Sequence, residues 1–247
     1  MLDAWLAALQ QRHLADLRVP EVTRALRALS SAYVERRHKV SRGATLDTAG
    51  KRAAFALFYA PLHFLTVDRV VRALDALDPA PTSILDLGCG TGTAGAAWAV
   101  AAGTTAVHGI DRHPWAVEEA RWTYRQFALQ GHAHRGDLTR LPPTPRGSAI
   151  VAAYVLNEMD DRSRERLEDQ LTSAARNGVR VLILEPIARG ITPWWDAAAA
   201  RVRAAGGRVD EWRFAVELPP SIRLFDRAAG LDHRELTTRT LYLPERD

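Results

Sequence analysis

The stretch "ILDLGCGTGTAG", residues 84–95, sets four glycines within eight positions directly behind a short apolar run. Glycine loses more conformational freedom on folding than any other residue, so this cluster marks a backbone that bends tightly or lets a ligand come close. The alanine-rich "TAGAAWAVAA" overlaps its end and reads as a helix. Strand, glycine turn and helix in that order commit the chain to an α/β architecture.

The spacing predicts more of the same downstream. Strands are expected at Ile84–Leu87, Ala106–Ile110, His132–Arg135, Ala149–Val155 and "VRVLILEP", with helices at Thr93–Ala102, Pro114–Gln130 and Arg162–Arg176. Thr192 is expected to cap a further helix that carries Pro193 in its first turn and ends at Gly206–Gly207. The tail segments "DEWRFAVELPP" and "RELTTRTLYLP" close the sheet as two strands without a full helix between them. Ahead of the glycine loop, Leu2, Leu6 and Leu9, then Val22, Leu26, Leu29 and Tyr33, follow helical spacing. A third helical stretch contains Pro61 and should kink or split there. "DPAPTS" places a boundary near Pro81, giving an N-terminal helical extension over 1–80 and a sheet domain over 81–247.

Composition narrows the function. A chain of 247 residues buries one α/β core and leaves about 80 residues for an appendage. Cys89 is the single cysteine, which excludes an internal disulfide and any multi-cysteine metal or iron–sulfur site and suits a cytoplasmic protein. "MLDAWLAALQ" lacks the basic-then-apolar order of a secretory signal. Residues 87–110 carry no formal charge, but six glycines and four threonines break them into loop, helix and strand, so no membrane span is expected.

The loop fits two ligands of opposite charge. Gly90, Gly92 and Gly95 match the dinucleotide pattern G-x-G-x-x-G, and Asp111 lies 19 residues beyond Gly92. Yet Asp86 sits two residues before the first glycine, where an anionic pyrophosphate has no use for a carboxylate. S-adenosylmethionine carries a sulfonium and an ammonium, and Asp86 suits that end. Gly88, Gly90 and Gly92, with Cys89 between them, would let the backbone lie against it. Asp111, followed by Arg112, suits the ribose hydroxyls; Asp137 suits the adenine amino group, and Leu138 the ring. Cys89 reads as a small filler rather than a nucleophile. His132 and His134 have the spacing of a metal pair but no further ligand beside them, so no metal is expected.

"DLGCGTG", "GID" and "GD", in that order, resemble the class I S-adenosylmethionine-dependent methyltransferases over residues 84–160. The resemblance implies a Rossmann-like seven-stranded sheet of order 3-2-1-4-5-7-6 with strand 7 antiparallel. "AAFALFYAPLHFLTVDRVVRAL", "AIVAAYVLNEMDD" and "VLILEPIARGITP" further resemble the ribosomal small-subunit-associated methyltransferase-like family over roughly residues 50–190. There the fourth strand runs into Tyr-Val-Leu-x-Glu, here Tyr154, Val155, Leu156 and Glu158, and the fifth into Glu-Pro, here Glu185 and Pro186. Many members carry an iron–sulfur cysteine cluster, which this chain lacks.

Methyl transfer is an in-line displacement, and the acceptor is expected beyond the carboxyl ends of the strands. Tyr154, Asn157 and Glu158 are therefore the catalytic candidates: the Asn157 carbonyl or Glu158 carboxylate to hold an acceptor N–H, and Glu158 or His63 as base for a hydroxyl. The alternative for Glu158 is a cap on the helix that follows. Three functions remain open. The first is methylation of RNA or the ribosomal small subunit. The second is methylation of a small-molecule acceptor, with the N-terminal helices as a lid lined by aromatics such as Phe55, Phe58 and Tyr59. The third is a non-catalytic, cofactor-binding assembly factor. Residues 1–60 hold ten Lys or Arg against five Asp or Glu, a net +5 that exceeds the +4 of the whole chain.

Overall fold

A computed structural model of the chain describes residues 1–35 and 46–245. They form two compact units, Met1–His63 with Ala215–Leu236, and Phe64–Phe214 with Thr237–Asp247. Residues 64–80, read from sequence with the extension, therefore group with the sheet, and residues 215–236 with the N-terminal helices.

In the first unit, α1 (Leu2–His13), α2 (Val19–Glu35) and α3 (Ala49–Ala54) lead into a π-helical turn, Phe55–Tyr59. Trp5, Leu6, Leu9, Val22, Leu26 and Leu29 are buried, as the helical spacing requires. Thr48 caps α3 by accepting from the Lys51 N–H. The helix does not split at Pro61. Helical structure runs without a break into α4 (Ala60–Ala73), and the π-turn just before the proline takes up the missing donor, with the Ala60 N–H reaching back to the Phe55 carbonyl. Ala49–Ala73 is long and apolar enough to cross a membrane by length and composition, but 67% of its most apolar window is buried, as in a core helix.

The second unit is a seven-stranded sheet of order β3-β2-β1-β4-β5-β7-β6. Its strands are β1 (Ile84–Leu87), β2 (Ala106–Asp111), β3 (Gln130–Arg135), β4 (Ala149–Ala153), β5 (Arg180–Glu185), β6 (Arg208–Ala215) and β7 (Glu235–Leu243). The first five pair in parallel, and β7 runs antiparallel to β5, from Val181↔Leu243 to Glu185↔Arg239. Every residue of β1 and β5 is buried, the mark of strands covered on both faces. β1 lies between β2 and β4, so the strand order reverses at its carboxyl end and opens a crevice there.

The helices are α5 (Thr93–Ala102), α6 (Pro114–Gln126), α7 (Asp161–Arg176), α8 (Trp195–Ala204) and, in the first unit, α9 (Pro220–Ala228). A helix, α9, stands between β6 and β7 where only a short turn was expected, β3 starts two residues earlier and β4 ends two residues earlier than the spacing suggests, and two helix ends differ as well. Helix α6 ends four residues early, where Ala128 takes a left-handed φ of 54°. Thr192 does not cap α8; its carbonyl accepts from the Trp195 N–H in a preceding turn, and Trp194 holds the cap position.

Candidate active site

The crevice at the end of β1 is built by left-handed backbone. Gly88, Gly90 and Gly92 have φ of 61°, 51° and 76°, which an L side chain adopts only under strain. Their tasks differ. Gly88 is half-buried, and a Cβ there would lie 2.6 Å from Val155 Cγ2 and 3.3 Å from Leu138 Cδ1. That places Val155 and Leu138 on one side of the loop as apolar walls. Gly92 is buried, and its missing Cβ makes room for Tyr124 and Ala120 of α6. Its lack of a side chain is required by helix packing. Tyr124 is fully buried, and Cβ atoms on Gly92, Gly109 or Gly131 would all collide with it.

Asp111, at the end of β2, fixes the loop from the side. Its Oδ2 accepts from the Gly90 N–H at 3.0 Å and its Oδ1 from the His113 N–H at 2.8 Å. A carboxylate has about four lone-pair sites, so each oxygen keeps capacity for a ligand hydroxyl. Asp137 is exposed and folds into a local turn, accepting from both the N–H and the hydroxyl of Thr139; those bonds hold its carboxyl below the usual range. Arg112 is exposed, and its carbonyl accepts from Arg135.

Two expected cofactor residues turn away from the crevice. Asp86 is 1% exposed and its Oδ2 accepts from the Gly95 N–H at 2.8 Å, tying β1 to the first turn of α5. Burial pushes its pKa up to about 7, with nearby Asp111 adding to the rise and the Gly95 bond opposing it. The Cys89 side chain is buried too, with Sγ packed where a Gly109 Cβ would stand, and burial pushes the thiol well up. It is filler, as its neighbours suggested.

The acceptor edge lies at the ends of β4 and β5. Tyr154 has a left-handed φ of 60°, and its N–H donates to the Leu184 carbonyl at 2.8 Å. Its phenol, hydrogen-bonded with Thr66 and Thr238, is pushed by burial up to about 12. Tyr154 is thus a neutral phenol tied to Thr66 and Thr238 beside the acceptor edge. A 3₁₀ turn, Leu156–Glu158, then carries the other two candidates. Glu158 is exposed, and Asp160 is the residue that caps α7, accepting from the Ser163 N–H at 2.9 Å. The capping alternative for Glu158 therefore falls. Asn157 is half-buried, and its N–H donates to Glu185 Oε1 at 3.1 Å.

Glu185 is the residue sequence reasoning did not single out for the site. It is wholly buried at the last position of β5, and burial pushes its pKa up to about 8. An acid closing the apolar run Val181–Leu184 was the available signal. Elsewhere, His63 lies among the rings of Phe55 and Tyr59 in the first unit, and burial pushes it down to about 4, a neutral imidazole. Across the β2–β3 pair His108 stacks on His132 and shares a 2.8 Å hydrogen bond with His134. Among the described residues no group of three His, Cys, Asp or Glu side chains is placed to hold a metal ion.

Residues 84–178 match the family described as "Methyltransferase domain". Solved structures share the fold at low identity. The mitomycin 7-O-methyltransferase MmcR aligns with a TM-score of 0.51 at 18% identity, covering 98% of this chain and 72% of its own. The N-methyltransferase NodS from Bradyrhizobium japonicum, in complex with S-adenosyl-L-homocysteine, aligns with a TM-score of 0.51 at 12% identity, covering 76% of this chain and 89% of its own. The methyltransferase domain of a bacterial Hen1 protein aligns at 0.51 and 14%, covering 74% and 100%. No curated protein matches the chain in sequence. The matched segment and the strand order together are those of a methyltransferase domain with a Rossmann-like fold, whose cofactor is S-adenosylmethionine.

The crevice fits that cofactor. Two half-buried left-handed glycines allow close backbone approach, apolar Leu138 and Val155 flank Gly88, and Asp111 is held by backbone donors with lone pairs to spare.

Proposed function

We propose that the chain transfers a methyl group from S-adenosylmethionine to a small-molecule acceptor. The observation that carries methyl transfer is the crevice at the end of β1, where left-handed Gly88 and Gly90 shape the loop and the Gly90 N–H donates to Asp111. When bound, the cofactor supplies a methyl carbon already activated by its sulfonium. The chain's own residues have three tasks. Gly88 and Gly90 admit the cofactor against the backbone, Asp111 holds the ribose hydroxyls, and Leu138 with Val155 excludes water. At the acceptor edge, exposed Glu158 takes the proton that an N–H or O–H acceptor must lose.

Support for a small acceptor comes from the span of the structural likeness. MmcR aligns over 98% of this chain, N-terminal helices included, whereas NodS and the Hen1 domain align over about three quarters of it. A second reading, methylation of ribosomal RNA in the cytoplasm, is supported by the net +5 of residues 1–60.

Incubation of the full chain with methyl-labelled S-adenosylmethionine decides between them. A metabolite extract should accept label and small ribosomal subunits should not. Label in the subunits alone would establish the RNA reading. Cofactor binding by calorimetry with no transfer to either would leave a non-catalytic binding factor.

A further inference from the structure

We infer that Glu185 is a positioning residue that keeps its proton: its Oε2–H donates to the buried Asn157 Oδ1, so a neutral carboxylic acid sets the turn that faces the methyl acceptor. The role given to that turn rests on the methyl-transfer reading; the proton does not.

Three observations carry it. First, Glu185 Oε1 already accepts from the Asn157 N–H at 3.1 Å, so carboxyl and amide belong to adjoining groups. Second, Glu185 Oε2 and Asn157 Oδ1 are both buried without a hydrogen-bond partner. Two acceptors cannot satisfy each other, and buried polar groups in native structures are rarely left unmade. One proton on Oε2 converts that oxygen into a donor and resolves both atoms at once. Third, the surroundings disfavour a charge. Burial dominates; Glu158 opposes ionisation, Arg239 and the Asn157 and Leu156 N–H groups favour it, and the Tyr154 phenol is neutral at neutral pH. Arg239 is the register partner of Glu185 across the antiparallel β5–β7 pair, and its guanidinium lies 4.1 Å over the Trp195 ring.

The arrangement settles what Asn157 offers a ligand. With Oδ1 anchored inward, the carboxamide presents its Nδ2, a donor. The sequence reading, in which the Asn157 carbonyl holds an acceptor N–H, is reversed. The group it recognises is a carbonyl, an ether oxygen or an unprotonated ring nitrogen beside the atom that is methylated.

The test compares full-length wild type, Glu185→Gln and Glu185→Ala. Glutamine places an N–H where the acid has its O–H, so it mimics the neutral form. Infrared difference spectra of wild type against Glu185→Gln at pH 7 should show a protonated-carboxyl band in the wild type only. The folded pKa is raised above the ordinary 4.5, so the folded state holds the extra proton between about 4.5 and 8, and stability falls as pH rises through that window. The melting temperature of the wild type should therefore drop relative to Glu185→Gln across that range and run parallel to it at higher pH. Label incorporation from an extract should stay within about threefold in Glu185→Gln and fall roughly tenfold or more in Glu185→Ala, with S-adenosylhomocysteine affinity unchanged in both. Melting curves that stay parallel throughout, with no carboxyl band, would show an ionised Glu185 and overturn the inference. A band without rescue by glutamine removes the positioning role. If the wild type transfers no label, the methyl-transfer reading fails, while the band and the melting curves still judge the proton.

Discussion

Asp111 shows how one side chain serves fold and ligand together. It accepts from the Gly90 and His113 N–H groups, so Asp111→Ala strips the loop of its brace and, on the proposed reading, the cofactor of its ribose partner. S-adenosylhomocysteine binding should weaken by about 1–3 kcal/mol in calorimetry, the scale of a charge-assisted bond left unmade. Glu158 is a cleaner case because Asp160 caps α7 in its place. Glu158→Gln should therefore leave melting and cofactor affinity nearly unchanged while lowering turnover by roughly 10²–10⁴-fold. Normal turnover in that variant would remove Glu158 from the chemistry. Asp86 belongs to stability instead. Its folded pKa of about 7 exceeds the ordinary 3.8, so its contribution is full in acid and is lost as pH rises towards 7. Urea midpoints of Asp86→Asn should fall less steeply than those of the wild type between about pH 4 and 7.

At the scale of elements, β1 and α5 meet closely beside the site. A Cβ on Gly95 would meet Asp86 Oδ2 at 2.8 Å, Asp86 Cβ at 2.9 Å and Val107 Cγ1 at 3.0 Å. Asp86 Oδ2 is held by the Gly95 N–H, and Asp86 Cβ and Val107 Cγ1 sit close to their backbones, so strand and helix must separate to admit it. Gly95→Ala should destabilise by about 1–3 kcal/mol, read from denaturant midpoints, and also weaken cofactor binding because the loop between the two elements shifts. Asp160→Ala affects the neighbouring helix alone. Loss of the α7 cap should cost about 1 kcal/mol and leave cofactor affinity intact.

For the whole molecule, the basic excess of the front segment bears on which partner the chain meets. Arg36, Arg37 and Lys39 supply much of it and lie outside the described residues. If ribosomal RNA is the acceptor, affinity should fall steeply with salt, and neutralising these three residues should reduce the slope of log affinity against log salt by about 2–3. A chain devoted to a small acceptor should keep its turnover in the triple variant. The division into units also changes how the extension is understood. It is assembled from both ends of the sequence, since α9 and its flanks join the N-terminal helices. There Asp226 takes the backbone N–H of His233 at 2.9 Å, and Arg27 of α2 donates to the Ala228 carbonyl at the end of α9.

The sequence by itself determined most of the strands and helices and the glycine loop, because these are local, while the strand order came from the family resemblance. A glycine loop between an apolar run and an alanine-rich helix has one economical conformation, and an acid at the end of the next strand stands beside it by parallel pairing. Only the tertiary structure decided what each polar side chain faces. Asp86 and Gly92 carry motif positions yet spend themselves on α5 and α6, since their directions are set by helices packed across the sheet. Tyr154 is drawn into a strut by Thr66 and Thr238, residues 88 and 84 positions away. Glu185 meets Asn157 across 28 residues, and its charge state follows from burial that no spacing in the chain records. Pattern along a chain fixes which elements form; the dielectric and the partners around a side chain exist only once those elements are packed.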